Sequence, residues 1–405
     1  MTSGLSYDPA RRPATTAAGP LAGLKVIELG GIGPSAFGGM ILADLGAEVI
    51  RVDRPGAGSG ALIPPELDLL NRGKRSIVLD LKKPAAVDAV LDLVELSEVV
   101  IEGFRPGVAE RLGLGPADVR ERNPRVVYGR MTGWGQFGPL APRAGHDIDY
   151  IAITGALAAI GPAGGPPQIP LSLVGDFGGG ATYLVIGVLA ALREAARTGQ
   201  GQVIDAAIVD GANHLLTAVH ALRAYGTWID ERGMNEYDGG SPFYSVYETG
   251  DQRYMAVGAI EPRFYAELLR VLDLDEDPSR QHDRDNWPSL RIKLAGAFRT
   301  RSQTEWTTVF EGTDACVAPV LDVAEARFHP QMIARRNVLD IDGVAQPAPA
   351  PRFSGHRDLR PPLPVPLGTD TFEILQWVGR QGLLDEGAAV AADPTEPRPT
   401  PRTGS

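Results

Sequence analysis

The sequence predicts an α/β protein with a large domain on a parallel sheet plus a smaller α+β domain, and three observations predict it. Strand-like and helix-like stretches alternate from Gly23 to Met131, and such alternation gives a parallel sheet flanked by helices. From Phe177 to Tyr225 the text becomes long, mostly apolar and helical. From Pro242 it changes again to a hairpin signal followed by helices, which is a second, smaller unit.

Taken in order, Leu24 to Leu29 is β-rich, Gly30-Gly31-Ile32-Gly33-Pro34 is a turn, Ser35 to Leu45 has helical spacing, and Ala47 to Asp53 is a second strand. That is a βαβ unit. The pattern repeats with Ser76 to Leu81 as strand, Pro84 to Leu96 as a helix opened by proline, Val99 to Phe104 as strand, helical turns through Asn123, and Val126 to Met131 as strand. Phe177 to Ala196 and Val203 to Tyr225 read as two helices separated by Gly199-Gln200-Gly201. In the second unit, Phe243 to Glu248 and Tyr254 to Ala259 flank the turn Thr249-Gly250-Asp251, with helices from Pro262 to Val271 and around Trp287 to Phe298. The proline-rich stretch 345–366 is expected to carry the chain back across the first domain, and Asp370 to Leu384 is a final amphipathic helix. The boundaries expected are an arm over 1–20, a large domain over 21–226 and 340–386, a small domain over 240–335, and a disordered Ala/Pro/Thr tail over 387–405.

Composition narrows the function classes. A chain of 405 residues that is 43% hydrophobic and 22% charged has a well-cored interior and exceeds one ordinary domain. The single cysteine, Cys316, rules out an intrachain disulfide and points to a reducing compartment, so a cytoplasmic location is expected. Met1 to Pro20 has no continuous apolar core and does not read as a secretion signal. The most apolar run, Ala181 to Leu192, is about 12 residues, too short for a bilayer about 30 Å thick, and reads as a buried helix with no membrane partner. A net charge of −11 argues against sequence-independent nucleic-acid binding, yet allows a local basic pocket for a phosphorylated small molecule. The six histidines form no cluster with ligand spacing, so no metal is expected.

Three segments stand out as chemistry: Gly145-His146-Asp147, Val174-Gly175-Asp176 and Ala259-Ile260-Glu261-Pro262. Together they offer one imidazole and two carboxylates among small or apolar residues, the minimum for taking a proton from carbon and returning it from the other side. Each has an ordinary explanation too. A lone histidine is commonly a structural hydrogen-bonding residue, and Asp176 and Glu261 each precede a helix-like stretch where a carboxylate caps. Capping does not call for Gly178, Gly179 and Gly180, poor helix formers whose expected use is the close approach of a ligand. Gly31-x-Gly33-x-x-Ala36 with Asp53 at the end of the next strand loosely matches a dinucleotide fingerprint, which would make an NAD-dependent dehydrogenase. Against it, Pro34 removes an N–H where a pyrophosphate would be received. Arg54, Arg72, Lys74, Arg75 and Arg111 follow strands or loops, and as a set within an acidic chain they suit a polyphosphorylated ligand.

These segments together resemble the α-methylacyl-CoA racemases, a branch of the class III CoA-transferase superfamily. The resemblance runs from Leu21-Ala22-Gly23-Leu24-Lys25-Val26-Ile27-Glu28-Leu29 through Asp44-Leu45-Gly46-Ala47-Glu48-Val49, Asn71-Arg72-Gly73-Lys74-Arg75, Glu102-Gly103-Phe104-Arg105-Pro106-Gly107 and Met131-Thr132-Gly133-Trp134-Gly135-Gln136 to about Ser354. It implies a large Rossmann-like domain, a smaller domain joined by long linkers, and two chains interlocked as a homodimer. Asp176 looks like the position that transferases use as a nucleophile and racemases keep as an acid/base. His146, in Gly145-His146-Asp147-Ile148-Asp149-Tyr150, looks like the racemase version, since transferases typically lack it. Glu261 also matches the racemase pattern and would face His146 and Asp176 from the other chain.

What the resemblance implies is epimerisation of a 2-methylacyl-CoA thioester, with no cofactor beyond the CoA of the substrate. His146 and Asp176 would exchange the α-proton, Glu261 would hold the imidazolium, the basic set would bind the CoA phosphates, and backbone N–H groups around Asp176 would stabilise the enolate. A CoA-transferase with Asp176 as nucleophile is the alternative, with a dehydrogenase or a silent acyl-CoA binding protein behind it.

Overall fold

A computed structural model of the chain describes residues 19–57, 63–356 and 359–392. Most of the segment expected as an arm and most of the expected tail lie outside those residues. The strands, in chain order, are β1 (Lys25–Leu29), β2 (Glu48–Asp53), β3 (Arg75–Leu79), β4 (Val99–Glu102), β5 (Val127–Thr132), β6 (Val203–Ala207), β7 (Tyr244–Glu248), β8 (Tyr254–Gly258), β9 (Val317–Pro319), β10 (Val338–Ile341), β11 (Val344–Pro347) and β12 (Ala389–Val390).

The main sheet has the order β12-β3-β2-β1-β4-β5-β6. β1 to β6 are mutually parallel, for example Val26 paired with Val49 and with Val99, and only β12 runs antiparallel, on β3. Strand order 3-2-1-4-5-6 is that of the doubly wound Rossmann-like sheet, in which ligands bind where the order reverses, beyond the carboxyl ends of the strands. Here that place lies between β1 and β4. Side chains alternate across the pleat. Ile27, Leu29, Ile50, Val52 and Ile77 pack with Val90 and Leu93 of the helix Pro84–Glu95 on one face. Val26, Val49, Val99 and Val127 pack with Leu42, Leu184 and Val188 on the other.

Several sequence expectations change at this level. Val203–Ala207 is a strand rather than the start of a helix, because its β-branched Val203 and Ile204 complete the parallel sheet along Tyr128–Thr132 of β5. The final helix divides into Thr371–Trp377 and Gly382–Asp385, with Gly379 at φ 68 between them. Ala389–Val390, inside the stretch expected to be disordered, is the edge strand on Leu79 and Val78. The apolar run at 181–192 belongs to a continuous helix, Leu173–Thr198, of 26 residues, long and apolar enough by length and composition to cross a membrane. Ala181, Leu184 and Val188 on it are fully buried in the core against the sheet.

Two compact units share the chain. The first takes residues up to Thr154, Leu171–Leu215 and everything from Ile333, and the second takes Gly155–Pro170 and Leu216–Met332. The second contains the antiparallel sheet β7-β8-β9. Its core gathers Phe243, Tyr265, Trp287, Phe298, Trp306 and Phe310 around the helices Pro262–Val271, Trp287–Phe298 and Gln303–Phe310.

Candidate active site

The carboxyl end of β1 leads through Gly30-Gly31-Ile32-Gly33 into the helix Pro34–Asp44. Gly33 is its N-cap at φ 61, a left-handed conformation that costs a non-glycine residue strain. A Cβ placed on Gly33 would stand 3.6 Å from Asp176 Oδ2, so the start of this helix and the Asp176 carboxylate are neighbours. Pro34 supplies no N–H at the first helical position, while the remaining first-turn amides have no intrahelical acceptor and carry the positive end of the helix dipole.

Asp176 does not cap an α-helix. Leu173–Ala181 winds as a π-helix and continues into the α-helix Thr182–Thr198. Such segments are rare and are frequently found at functional sites. The chain enters it through Leu171 and Ser172 at φ 55 and φ 61, both left-handed and neither a glycine, which is backbone strain of the kind that surrounding structure must hold in place. The Asp176 N–H donates to Asp147 Oδ1 at 2.7 Å. That amide is therefore occupied and cannot serve the enolate as the sequence suggested. The glycines that follow also have another use. A Cβ on Gly179 would come 2.6 Å from Ala212 N, and one on Gly180 would come 3.0 Å from Ile208 Cγ1. They let the helix Ile208–Leu215 pack backbone to backbone on the π-helix rather than admit a ligand.

His146 is the N-cap of the helix Asp147–Ile153, exposed, with its backbone N–H donating to Asp149 Oδ2 at 2.9 Å. Its loop is braced from behind. The Tyr150 hydroxyl donates to the Gly145 carbonyl, and Trp134 meets the Tyr150 ring edge-on with centroids 4.7 Å apart. Burial, joined by the charge of Asp147, pushes the Asp176 carboxyl up to about 6, and His146 nearby pulls it down. The structure thus brings His146 and Asp176 into electrostatic reach of each other. Burial and the charges of Asp176 and Asp149 push the Tyr150 phenol up to about 12, with Arg105 opposing.

Glu261 lies in the second unit, exposed at the N-cap of Pro262–Val271 with no side-chain capping bond. Its charge acts on the Cys316 thiol, which burial raises first.

The basic set separates into two groups. Arg72, Lys74 and Arg75 are buried, at 3%, 5% and 6% exposure, and each is paired with a carboxylate of this chain, so they are engaged inside the fold rather than presented to a CoA phosphate. Arg72 pairs with Asp44 at 2.6 Å and donates to Gln346 Oε1 and the Pro347 carbonyl. Lys74 pairs with Glu28 at 2.7 Å and donates to the Ala36 carbonyl and Asn71 Oδ1. Arg75 pairs with Asp370 and Glu48, both at 3.1 Å, and lies over the Trp377 ring. Arg54 and Arg111 are exposed. Asp147, Tyr150 and Arg105 are the residues that sequence reasoning passed over. Asp147 and Tyr150 stand in the same short segment as His146, where an aspartate at a helix start has an ordinary dipole explanation. No group of His, Cys, Asp and Glu among the described residues could hold a metal ion.

The family model for CoA-transferase family III matches residues 21–371. The α-methylacyl-CoA racemase of Mus musculus is 43% identical over 337 residues, covering 82% of this chain and 86% of that protein. The Homo sapiens α-methylacyl-CoA racemase is also 43% identical, over 333 residues and the same shares of each chain. Among solved structures, a CAIB/BAIF family protein from Brucella suis superposes with a TM-score of 0.73 at 28% identity, covering 89% of this chain and 100% of that one.

Proposed function

From its place in CoA-transferase family III, to which this chain belongs, we propose that the protein is an isomerase, an α-methylacyl-CoA racemase that interconverts (2R)- and (2S)-2-methylacyl-CoA thioesters by 1,1-proton transfer through an enolate. The observation that carries this reading is the Asp176 carboxyl, pushed up to about 6 beside His146. A carboxyl raised this far above the usual carboxylate range is held partly protonated near neutral pH, so it can both take and give the α-proton. A transferase nucleophile would gain nothing from being held partly protonated.

The thioester carbonyl acidifies the α-carbon by delocalising charge onto oxygen. Asp176 removes the proton from one face and the His146 imidazolium returns one to the other, and the reverse reaction uses the same pair with roles exchanged. The positive dipole end of the helix Pro34–Asp44, beside Asp176, favours the negative charge that develops there. Arg54, Arg111 and Arg105, all exposed, receive the CoA phosphates. The reaction moves only a proton and needs no cofactor beyond the CoA of the substrate. The lone exposed thiol, Cys316, accords with work in the cytoplasm.

Incubating one enantiomer of a 2-methylacyl-CoA in D₂O, without an acceptor acid, tests the reading. Deuterium entry at the α-carbon with loss of chirality is expected, whereas no exchange, with CoA moving to an added carboxylate, would place the protein among the transferases. The pH dependence is equally specific. Both working states of the pair hold one proton in total, so kcat/KM is expected to be a bell whose limbs belong to the pair. The bell is expected to be the same for the (2R) and (2S) substrates. Limbs that differed between enantiomers would remove the shared-proton mechanism.

Glu261 enters this site from the second chain of an interlocked homodimer in our reading. The large apolar side chains left open on the first unit, Ile153, Leu171, Leu173 and Ile186, each more than half exposed, support association. Co-expressing Asp176→Asn with Glu261→Gln subunits separates the arrangements. If the site is shared, a mixed dimer holds both lesions in one site and leaves the other whole, so activity returns. If each chain builds its own site, none returns.

A further inference from the structure

We propose that Asp147 is a positioning residue that fixes the separation of His146 and Asp176, acting as a clamp between the loop that carries one and the π-helix that carries the other. The proposal rests on the racemase reading and names a device within that site. Asp147 follows His146 directly, and its carboxylate reaches 29 residues along the chain to the Asp176 backbone N–H at 2.7 Å. It is 5% exposed, and its second oxygen, Oδ2, is buried without a hydrogen-bond partner. An ionised carboxylate held in the interior with one oxygen unanswered is an expensive way to satisfy one amide. An asparagine would accept the same bond at lower cost.

The surrounding chain is shaped for this contact. Gly175 lies beside it, and a Cβ there would overlap Asp147 Oδ1 and come 3.0 Å from Ile151 Cγ2. In the π-helix the bond from Phe177 N–H reaches back to the Ser172 carbonyl, so the amides of the first turn, that of Asp176 included, need acceptors from outside. Asp147 is one such acceptor, and it brings a charge with it. The like charge then keeps Asp176 inclined toward its protonated form, second only to burial as the cause. His146 acts on Asp176 directly, and Asp176 in turn acts on Tyr150, which also feels Asp149 and Arg105. The elements packed against the π-helix also carry Asp205 on β6, Asp210 and His214 on the helix Ile208–Leu215, and Asp44 on the helix Pro34–Asp44.

Two substitutions separate the clamp from its charge. Asp147→Asn keeps an acceptor for the Asp176 amide and removes the charge, so Asp176 loses its proton more readily. The acid limb of the kcat/KM bell is expected to move to lower pH by about one unit. Asp147→Ala removes the contact. Proton exchange from one face is then expected to persist while inversion falls by about tenfold or more, since small misplacement of reacting groups is costly. The ratio of deuterium exchange to racemisation rises, which a loss of folded protein alone cannot produce. An unchanged limb in Asp147→Asn together with an unchanged ratio in Asp147→Ala would overturn the proposal. Should Asp147→Ala fail to fold, Asp147→Ser, whose shorter side chain does not reach the Asp176 amide, is read by the same ratio of exchange to racemisation. Failure of the wild-type protein to exchange the α-proton would strike the racemase reading instead, before either variant is made.

Discussion

Asp176→Asn is expected to lower kcat/KM for racemisation by about 10²–10⁴-fold, the range that a positioned general acid–base contributes, with KM for acyl-CoA changed much less. Asparagine has the shape of aspartate and keeps the backbone N–H that Asp147 accepts, so the π-helix stays in place and only the proton-carrying group is lost. The loss should appear for both enantiomers, because each direction of a two-base reaction uses both groups. Deuterium exchange separates the faces. With Asp176 silent, His146 can still exchange the proton on its own side, so one enantiomer should retain slow exchange without inversion while the other loses it. Racemisation within threefold of wild type would remove Asp176 from the reaction. Formation of a hydroxylamine-sensitive acyl-enzyme in the wild type and its loss in Asp176→Asn would make this carboxylate the transferase nucleophile.

Much of the fold was legible because parallel strands buried on both faces read as short apolar runs bounded by turns. β1 to β5 all lie within a few residues of where the sequence places them. β6 was hidden because Val203–Ala207 runs straight into the helix Ile208–Leu215 with no turn residue between them, and only pairing with β5 makes it a strand. The two-residue β12 has no periodicity to detect, and its place depends on β3, about 300 positions away in sequence. At the site, His146 and Asp176 were legible as residue types in small-residue surroundings. The π-helix was not, since nothing in Leu173–Ala181 distinguishes it from an α-helix until Asp147 takes the Asp176 amide. The basic set misled for a related reason. Position after a strand is equally the place of a lysine or arginine that turns inward to a buried carboxylate, and the sequence does not show that Glu28, Asp44 and Asp370 await Lys74, Arg72 and Arg75.

That inward pairing carries a second large expectation, a loss of about 3–5 kcal/mol of stability in Glu28→Ala, the usual result of removing one partner of a buried ion pair. In β1 the pleat places Glu28 on the same face as Val26, beneath the helix Pro34–Asp44. Glu28 is 0% exposed, and its ion-pair partner Lys74 also donates to the Ala36 carbonyl in the first turn of that helix. Gly39 makes the room, since a Cβ there would overlap Glu28 Oε2. Burial pushes the Glu28 carboxyl up and the Lys74 amine down, and the charge of each partner opposes this. With Glu28 gone, Lys74 is left in the core without its counter-charge, directly under the helix whose Gly33 adjoins Asp176. The urea midpoint should fall accordingly, and racemisation should weaken before the unfolding transition begins, because the displaced first turn no longer holds its place beside the carboxylate. Replacing both partners, Glu28→Met with Lys74→Met, removes the stranded charge and is expected to restore most of the stability. If Glu28→Ala alone unfolds at the wild-type midpoint, the pair does not support this end of the sheet, and the anchoring of the helix beside Asp176 must come from apolar packing by Leu42 and Ala43.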